Sequence, residues 1–316
     1  EKPHKVSILP PNELGNAHPS KPNEKGLQQV QCSFWSLTLL NPTNRPSRPT
    51  FSHSKYLMSA ELLATRREAT LILTLSNPGA RNALHPDMYS AGIEALATAE
   101  RDPDIRAVVL TGAGDTFCAG GNLNRLLENR QKDRSVAADS VGQLHAWVEA
   151  LRDCPKPVIA AVEGPAAGAG FSLVLACDLI VAANSAKFIA AYVKVALSPD
   201  GGMSWSLSQS LPRQLVTEIL MEGKPLSSAQ LHQHGIVNRV VNDGQALHAA
   251  LDWSDELARQ SPHSISSIKS LAREATAATL SEQLRSEQQA FVDCLHHRDA
   301  LEGITAFLEK RKPNYS

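Results

Sequence analysis

Pro157-Val158-Ile159-Ala160-Ala161-Val162-Glu163-Gly164-Pro165-Ala166-Ala167-Gly168-Ala169-Gly170 is the stretch whose reading sets the fold class. Its first six residues are a continuous apolar run of strand length, as expected for a strand buried on both faces. Glycines at 164, 168 and 170 then mark a tight turn. Ala169–Ala176 reads as a short helix opening from that turn. The first N–H groups of a helix are unpaired and carry the positive end of its dipole. Strand, glycine turn and helix in succession form the unit of a parallel α/β fold.

The same unit stands earlier in the chain. Arg106–Leu110 is apolar after its first residue and leads to a second turn, Phe117-Cys118-Ala119-Gly120-Gly121-Asn122. Either turn alone is an ordinary place for glycine. Together they offer two stretches of bare backbone to one negative oxygen, the arrangement that stabilises an oxyanion.

Outward from these turns, the body of the chain alternates strands and helices. Ala69–Leu75 alternates apolar and polar residues, the pattern of a half-buried strand. Pro86 opens a helix with Met88, Ala91, Gly92, Ala95, Leu96 and Ala99 on one face. Glu128–Ser140 is polar and reads as mobile, and His145–Leu151 as helix. Leu179–Ala182 and Lys187–Ile189 read as short strands. Helices follow at Gln214–Met221 and Ser228–His234, then a strand at Val237–Val241. Ala246–Gln260, Ser264–Ala275 and Leu280–Lys310 make a helical C-terminus.

Residues 1–57 differ in composition. They hold eight of the 19 prolines and seven Lys/Arg against three Asp/Glu, while the rest carries 24 against 29. Such a proline-rich, polar segment reads as a disordered leader or non-native extension. The expected division is 1–57, a core over 58–250, and a C-terminal helical region over 251–316.

Totals narrow the function classes. The chain has 316 residues, is 42% hydrophobic, and carries a formal charge of −1. These values fit a soluble globular protein and give no sign of a nucleic-acid binder. No apolar run reaches membrane-spanning length. The five cysteines are scattered without a Cys/His cluster, so no metal site is expected and a cytoplasmic location fits best. Gly112-Ala113-Gly114 opens like a dinucleotide fingerprint, but the third glycine position holds Phe117. Neither a P-loop nor a GxSxG nucleophile elbow is present.

Four motifs in order carry a resemblance. They are Asn77-Pro78-x-x-Arg81-Asn82-Ala83-Leu84, Phe117–Leu123, the Pro157–Gly170 stretch, and Ala176-Cys177-Asp178. Their order and spacing resemble the crotonase (enoyl-CoA hydratase/isomerase) superfamily over roughly 61–316. The resemblance implies an α/β spiral of ββα units with a C-terminal helical trimerisation region. It implies an acyl-CoA substrate, homotrimers or dimers of trimers, and no cofactor beyond the substrate's own coenzyme A. The oxyanion donors would be the N–H groups of Gly121 and Ala169, the latter standing where the family commonly has glycine. Arg81, Ala83, Leu84, Ala119 and Asn122 would line the coenzyme A groove, and Tyr192 the acyl pocket.

The resemblance also locates a departure. Hydratases of this superfamily hold water with two glutamates, and their positions here are Ser172 and Tyr192. Serine and tyrosine are poor general bases near neutral pH. The remaining carboxylate is Asp200, in Pro199-Asp200-Gly201-Gly202. Its ordinary reading is a helix cap. With Leu211-Pro212-Arg213 downstream, it also resembles a branch that uses one catalytic aspartate. The expected reaction is movement of a C=C bond, with Asp200 as sole acid/base. Hydration of a specific enoyl-CoA and non-catalytic acyl-CoA binding stay open as alternatives. His145 reads as an exposed helix histidine near the site, Glu163 and Glu128 as minor candidates, and Asp178 as structural. Phe117, Phe188 and Trp205 are core residues by default.

Overall fold

The computed structural model describes residues 60–315 and the strand Ile8–Leu9. The reading of 1–57 as a leader otherwise lies outside the described residues. The strands are β1 (Ile8–Leu9), β2 (Glu61–Arg67), β3 (Thr70–Ser76), β4 (Ala107–Gly112), β5 (Val158–Val162), β6 (Pro165–Ala167), β7 (Leu179–Ala183), β8 (Lys187–Ile189), β9 (Pro225–Ser227) and β10 (Arg239–Val241). A seven-stranded sheet runs β1-β2-β3-β4-β5-β7-β10, parallel except between β2 and β3. A second sheet runs β6-β8-β9.

The helices are α1 (Pro86–Arg101), α2 (Leu123–Arg130), α3 (Arg134–Asp153), α4 (Ala169–Ala176), α5 (Met203–Ser210), α6 (Arg213–Glu222), α7 (Ser228–Gln233), α8 (Ala246–Ala258), α9 (Pro262–Glu274), α10 (Leu280–His296) and α11 (Arg298–Leu308). Successive turns repeat one pattern. β5 lies in the large sheet, β6 in the small one, and α4 closes the turn; β7, β8 and α5 repeat it. The earlier turns join by single bridges, Leu84 to Gly121 and Cys118 to Ala166. This is the expected spiral of ββα units.

Several local expectations are corrected. The strand Glu61–Arg67 has no clear apolar alternation in sequence, and it is only partly buried. Its partner β3 is buried along most of both faces rather than alternately. The polar face of β3 is covered by α8, where Ser254 Oγ lies 2.8 Å from Thr70 Oγ1. That helix also seals Ile72, Val109, Ile159 and Val181 with Ala246, Ala250 and Leu251. A boundary at 250/251 therefore passes through a helix of the core.

Glu128–Ser140 is not a loop but belongs largely to α2 and α3. Asn122 and Asp133 cap the two helices, accepting from Arg125 N–H and Ser135 N–H. Polarity there reflects caps and exposed faces. On α1 the buried face includes Tyr89, whereas Ala91 is only partly covered. Leu280–Lys310 is two helices, broken at His297, whose extended backbone and ring cap α11.

Candidate functional site

The two glycine turns are hydrogen-bonded neighbours. Cys118 N–H donates to Pro165 O at 3.1 Å, and Ala167 N–H donates to Cys118 O at 2.8 Å. The first turn is also stitched to the 81–84 segment, with Leu84 N–H on Gly120 O at 2.8 Å and Ala119 N–H on Arg81 O at 3.0 Å. Gly120 N–H points to Cys118 Sγ at 3.3 Å. After these bonds, the N–H groups of Gly121 and Ala169 have no hydrogen-bond partner among the described residues. Ala169 is the first residue of α4, so its N–H is one of the orphan donors of a helix start.

Glycine is required where the turns meet. Gly120 has φ +90, and a Cβ there would stand 2.7 Å from Ala167 O and 3.4 Å from Ala169 N. A Cβ at Gly170 would strike Cys118 O at 2.7 Å. The close approach of the two turns depends on both residues lacking side chains. Burial pushes the Cys118 thiol up to about 12, so the sulfur between them is a neutral packing group.

Beside the turns, three side chains form a closed cluster. Tyr192 Oη donates to Asp200 Oδ1 at 2.7 Å. Ser172 Oγ donates to Asp200 O at 2.9 Å and lies 3.1 Å from Tyr192 Oη. Ser172 comes from the first turns of α4, Tyr192 from the 3-10 turn Ala191–Val195, and Asp200 from the turn before α5. Burial raises the Asp200 carboxyl above the usual carboxylate range, while the Tyr192 bond and the charge of His145 oppose the rise. Burial, and then the Asp200 charge, push the Tyr192 phenol up as well. Tyr192 is therefore a hydrogen-bond donor here and not a base.

The enoyl-CoA hydratase/isomerase family profile matches residues 65–316. The chain belongs to that family. Among its enoyl-CoA hydratase/isomerase relatives, enoyl-CoA hydratase EchA19 of Mycobacterium tuberculosis is 36% identical over 258 residues, covering 81% of this chain and 96% of that protein. The 1,2-epoxyphenylacetyl-CoA isomerase of Escherichia coli is 35% identical over 260 residues, covering 81% and 98%. A crystal structure of an enoyl-CoA hydratase from Polaromonas sp. JS666 superposes with a TM-score of 0.80 at 54% identity, over 81% of this chain and all of that one.

Within this enoyl-CoA hydratase/isomerase fold, the expected site residues separate into groups. Gly121 and Ala169 lie in the two hydrogen-bonded turns, and Asp200 lies in the cluster with Ser172 and Tyr192, the ring of the latter approaching the second turn at Gly168. Ala83 and Leu84 are buried; Leu84 holds the first turn through its N–H on Gly120 O, while Ala83 bonds within its own segment, to Ala80 O and the Asn77 side chain. Arg81 is exposed, with a left-handed backbone at φ 51 whose carbonyl holds Ala119. Ala119 is exposed at the surface of the turn. Asn122 turns its side chain to capping α2. Tyr192 directs its hydroxyl to Asp200 and Ser172.

Other candidates resolve clearly. Glu163 accepts Gly244 N–H at 3.1 Å and Ala246 N–H at 2.8 Å, holding the start of α8. Glu128 is exposed on α2. Asp178 accepts Val158 N–H at 2.8 Å and pairs with Lys269 at 2.7 Å, a structural role as expected. Phe117 and Phe188 are fully buried, while Trp205 is half-exposed under the Arg152 guanidinium at 4.5 Å.

Sequence reasoning missed one neighbour of the site, Tyr89, and left the role of another, His145, undefined. Tyr89 on α1 has its phenol pushed up to about 12, chiefly by burial, with Arg125 opposing and Asp200 adding to the rise. The signal was its position one residue past Met88 on a helix face. His145 is exposed on α3, yet its charge favours the ionised form of Asp200. Only the spatial approach of α3 to the 200 turn brings that about.

Proposed function

We propose that this chain is an enoyl-CoA isomerase that moves a C=C bond along the acyl chain of a coenzyme A thioester. The N–H groups of Gly121 and Ala169 bind the thioester oxygen and stabilise the enolate or dienolate that forms on proton loss. Asp200 removes the proton through Oδ2 and returns it to another carbon of the conjugated system. The single observation that carries this reading is the cluster at Asp200. The two positions that hold water-activating glutamates in the hydratases are occupied by Ser172 and Tyr192, which bond to each other and to Asp200. A single carboxylate suffices to shuttle one proton, whereas hydration calls on two groups. No cofactor enters beyond the coenzyme A of the substrate.

A second reading, hydration of a particular enoyl-CoA, is favoured by the names of the Mycobacterium and Polaromonas relatives. Offering the purified protein a 3-enoyl-CoA and a 2-enoyl-CoA separates the two by mass spectrometry. Isomerisation conjugates the 3-enoyl-CoA with no change of mass, and hydration adds the mass of water to the 2-enoyl-CoA. Binding of both without turnover sinks both readings and leaves an acyl-CoA-binding protein.

A homotrimer or dimer of trimers in the cytoplasm is part of the proposal. It is supported by the apolar surface of α10 and α11, where Leu280, Phe291, Leu301 and Phe307 are each more than two-thirds exposed. Cys118, Cys154, Cys177 and Cys294 are free thiols, as a reducing compartment allows. Light scattering of the purified protein checks the assembly; a monomeric mass would remove it.

A further inference from the structure

We propose that Tyr192 is a positioning residue for Asp200: its hydroxyl fixes Oδ1 and turns Oδ2 toward the substrate, with Ser172 bracing both from behind. This inference rests on the reading of Asp200 as the acid/base.

The segment that carries Asp200 has little of its own to fix a side chain. It leaves the 3-10 turn through Ala196 at φ 55 and continues into Gly201 and Gly202 at φ 58 and 74. Asp200 lies between these left-handed residues, outside any helix or strand. A carboxylate on such a turn would sample several rotamers, and a proton-transfer group off by an ångström loses much of its rate. The Tyr192 hydroxyl supplies the missing constraint at 2.7 Å, from a ring that is itself buried. Among the described residues Oδ2 has no hydrogen-bond partner, so it is the oxygen available to a substrate carbon.

Ser172 completes the support. Its hydroxyl holds the main-chain carbonyl of Asp200 at 2.9 Å, so one residue is gripped at backbone and side chain by two hydroxyls that themselves lie 3.1 Å apart. The contact is close enough that a Cβ on Gly201 would stand 2.8 Å from Ser172 Cβ. The serine and tyrosine that stand where the hydratases hold glutamates thus serve the carboxylate of Asp200.

The bond also opposes the effect of burial on the carboxyl. Burial favours the neutral acid, and a phenol donated to the carboxylate favours the ionised form. Two other titratable groups face this carboxylate, Tyr89 from α1 and His145 from α3. Deleting the Tyr192 hydroxyl leaves those groups in place and removes the hydrogen bond that favours the ionised carboxylate.

The test compares wild type, Tyr192→Phe, Ser172→Ala and Asp200→Asn as full chains. The carboxyl stretch of Asp200, assigned by its loss in Asp200→Asn, is titrated by infrared spectroscopy, which needs no substrate. Turnover of trans-3-hexenoyl-CoA is followed across pH. Tyr192→Phe is expected to raise the Asp200 midpoint and the acid limb of kcat/KM together by about one pH unit. It is expected to lower kcat by more than about tenfold with KM little changed. Ser172→Ala should move both in the same direction by less. A midpoint unmoved or lowered in Tyr192→Phe overturns the assignment while leaving Asp200 as the acid/base. Turnover retained by Asp200→Asn overturns both readings at once.

Discussion

Tyr192 and Asp200 are joined by a 2.7 Å hydrogen bond from phenol to carboxylate, across a left-handed turn at Ala196. The bond places the one carboxylate of the cluster beside the two glycine turns, and the energetics of that carboxylate lead to the first prediction.

Asp200→Asn is expected to lower turnover of the 3-enoyl-CoA by roughly a thousandfold or more, since it deletes the carboxylate proposed to carry the proton. It should not lower the unfolding temperature at neutral pH. The sign follows from linkage. The folded-state pKa of Asp200 is raised, chiefly by burial, so the charged form is disfavoured by folding and destabilises above both pKa values. Asparagine removes that charge, and thermal unfolding at pH 7 should show a midpoint equal to or above wild type. Below the unfolded-state pKa the difference should vanish.

Gly120→Ala tests the meeting of the turns. The added methyl would stand 2.7 Å from Ala167 O, on a backbone at φ +90. Strain and overpacking together should cost about 2–3 kcal/mol, measured by denaturant unfolding. Turnover should fall more than about tenfold if, as proposed, the N–H groups of Gly121 and Ala169 bind one oxygen, because the turns that carry them would be displaced.

Glu163→Ala separates a structural carboxylate from a catalytic one. Both Glu163 oxygens accept N–H groups at the start of α8. Their loss should cost about 1–2 kcal/mol of stability. Steady-state kcat/KM on the same 3-enoyl-CoA should stay within about twofold of wild type, since α8 covers the far face of the sheet. A large loss of kcat would return Glu163 to the site.

Lys269→Met probes the clamp between α9 and the core. Lys269 pairs with Asp178 at 2.7 Å, and it also donates to Leu151 O and Lys156 O. Removing the cation leaves Asp178 with its Val158 N–H bond but without its ion-pair partner. The change is expected to cost about 1–2 kcal/mol in chemical denaturation, below the cost for a fully buried pair. Replacing both, as Lys269→Met with Asp178→Leu, should recover part of the loss if the charge left behind causes it.

The distribution of right and wrong expectations follows the range of the forces involved. β5, α4, β7 and β8 were legible because apolar runs and glycine turns act within a few residues. Glu61–Arg67 was not, since a strand that is only partly buried along its length has a weak pattern. The helices across Glu128–Ser140 are not legible in its polar composition, because capping residues and an exposed helix face are as polar as a loop. The alternation in Ala69–Leu75 was real in sequence, yet α8, more than a hundred residues later, buried the polar face through Ser254.

By itself the sequence determined the order of ββα units, the two glycine turns and the enoyl-CoA hydratase/isomerase family. Each is carried by local backbone needs and by motifs in fixed order. It also showed that positions 172 and 192 lack carboxylates. Only the tertiary structure decided what those two residues do instead. Ser172, Tyr192 and Asp200 lie on a helix, a 3-10 turn and a loop, and no periodicity relates them. Hydrogen bonds of about 3 Å depend on where whole segments are placed, and that placement comes from the packing of the sheet and helices behind them.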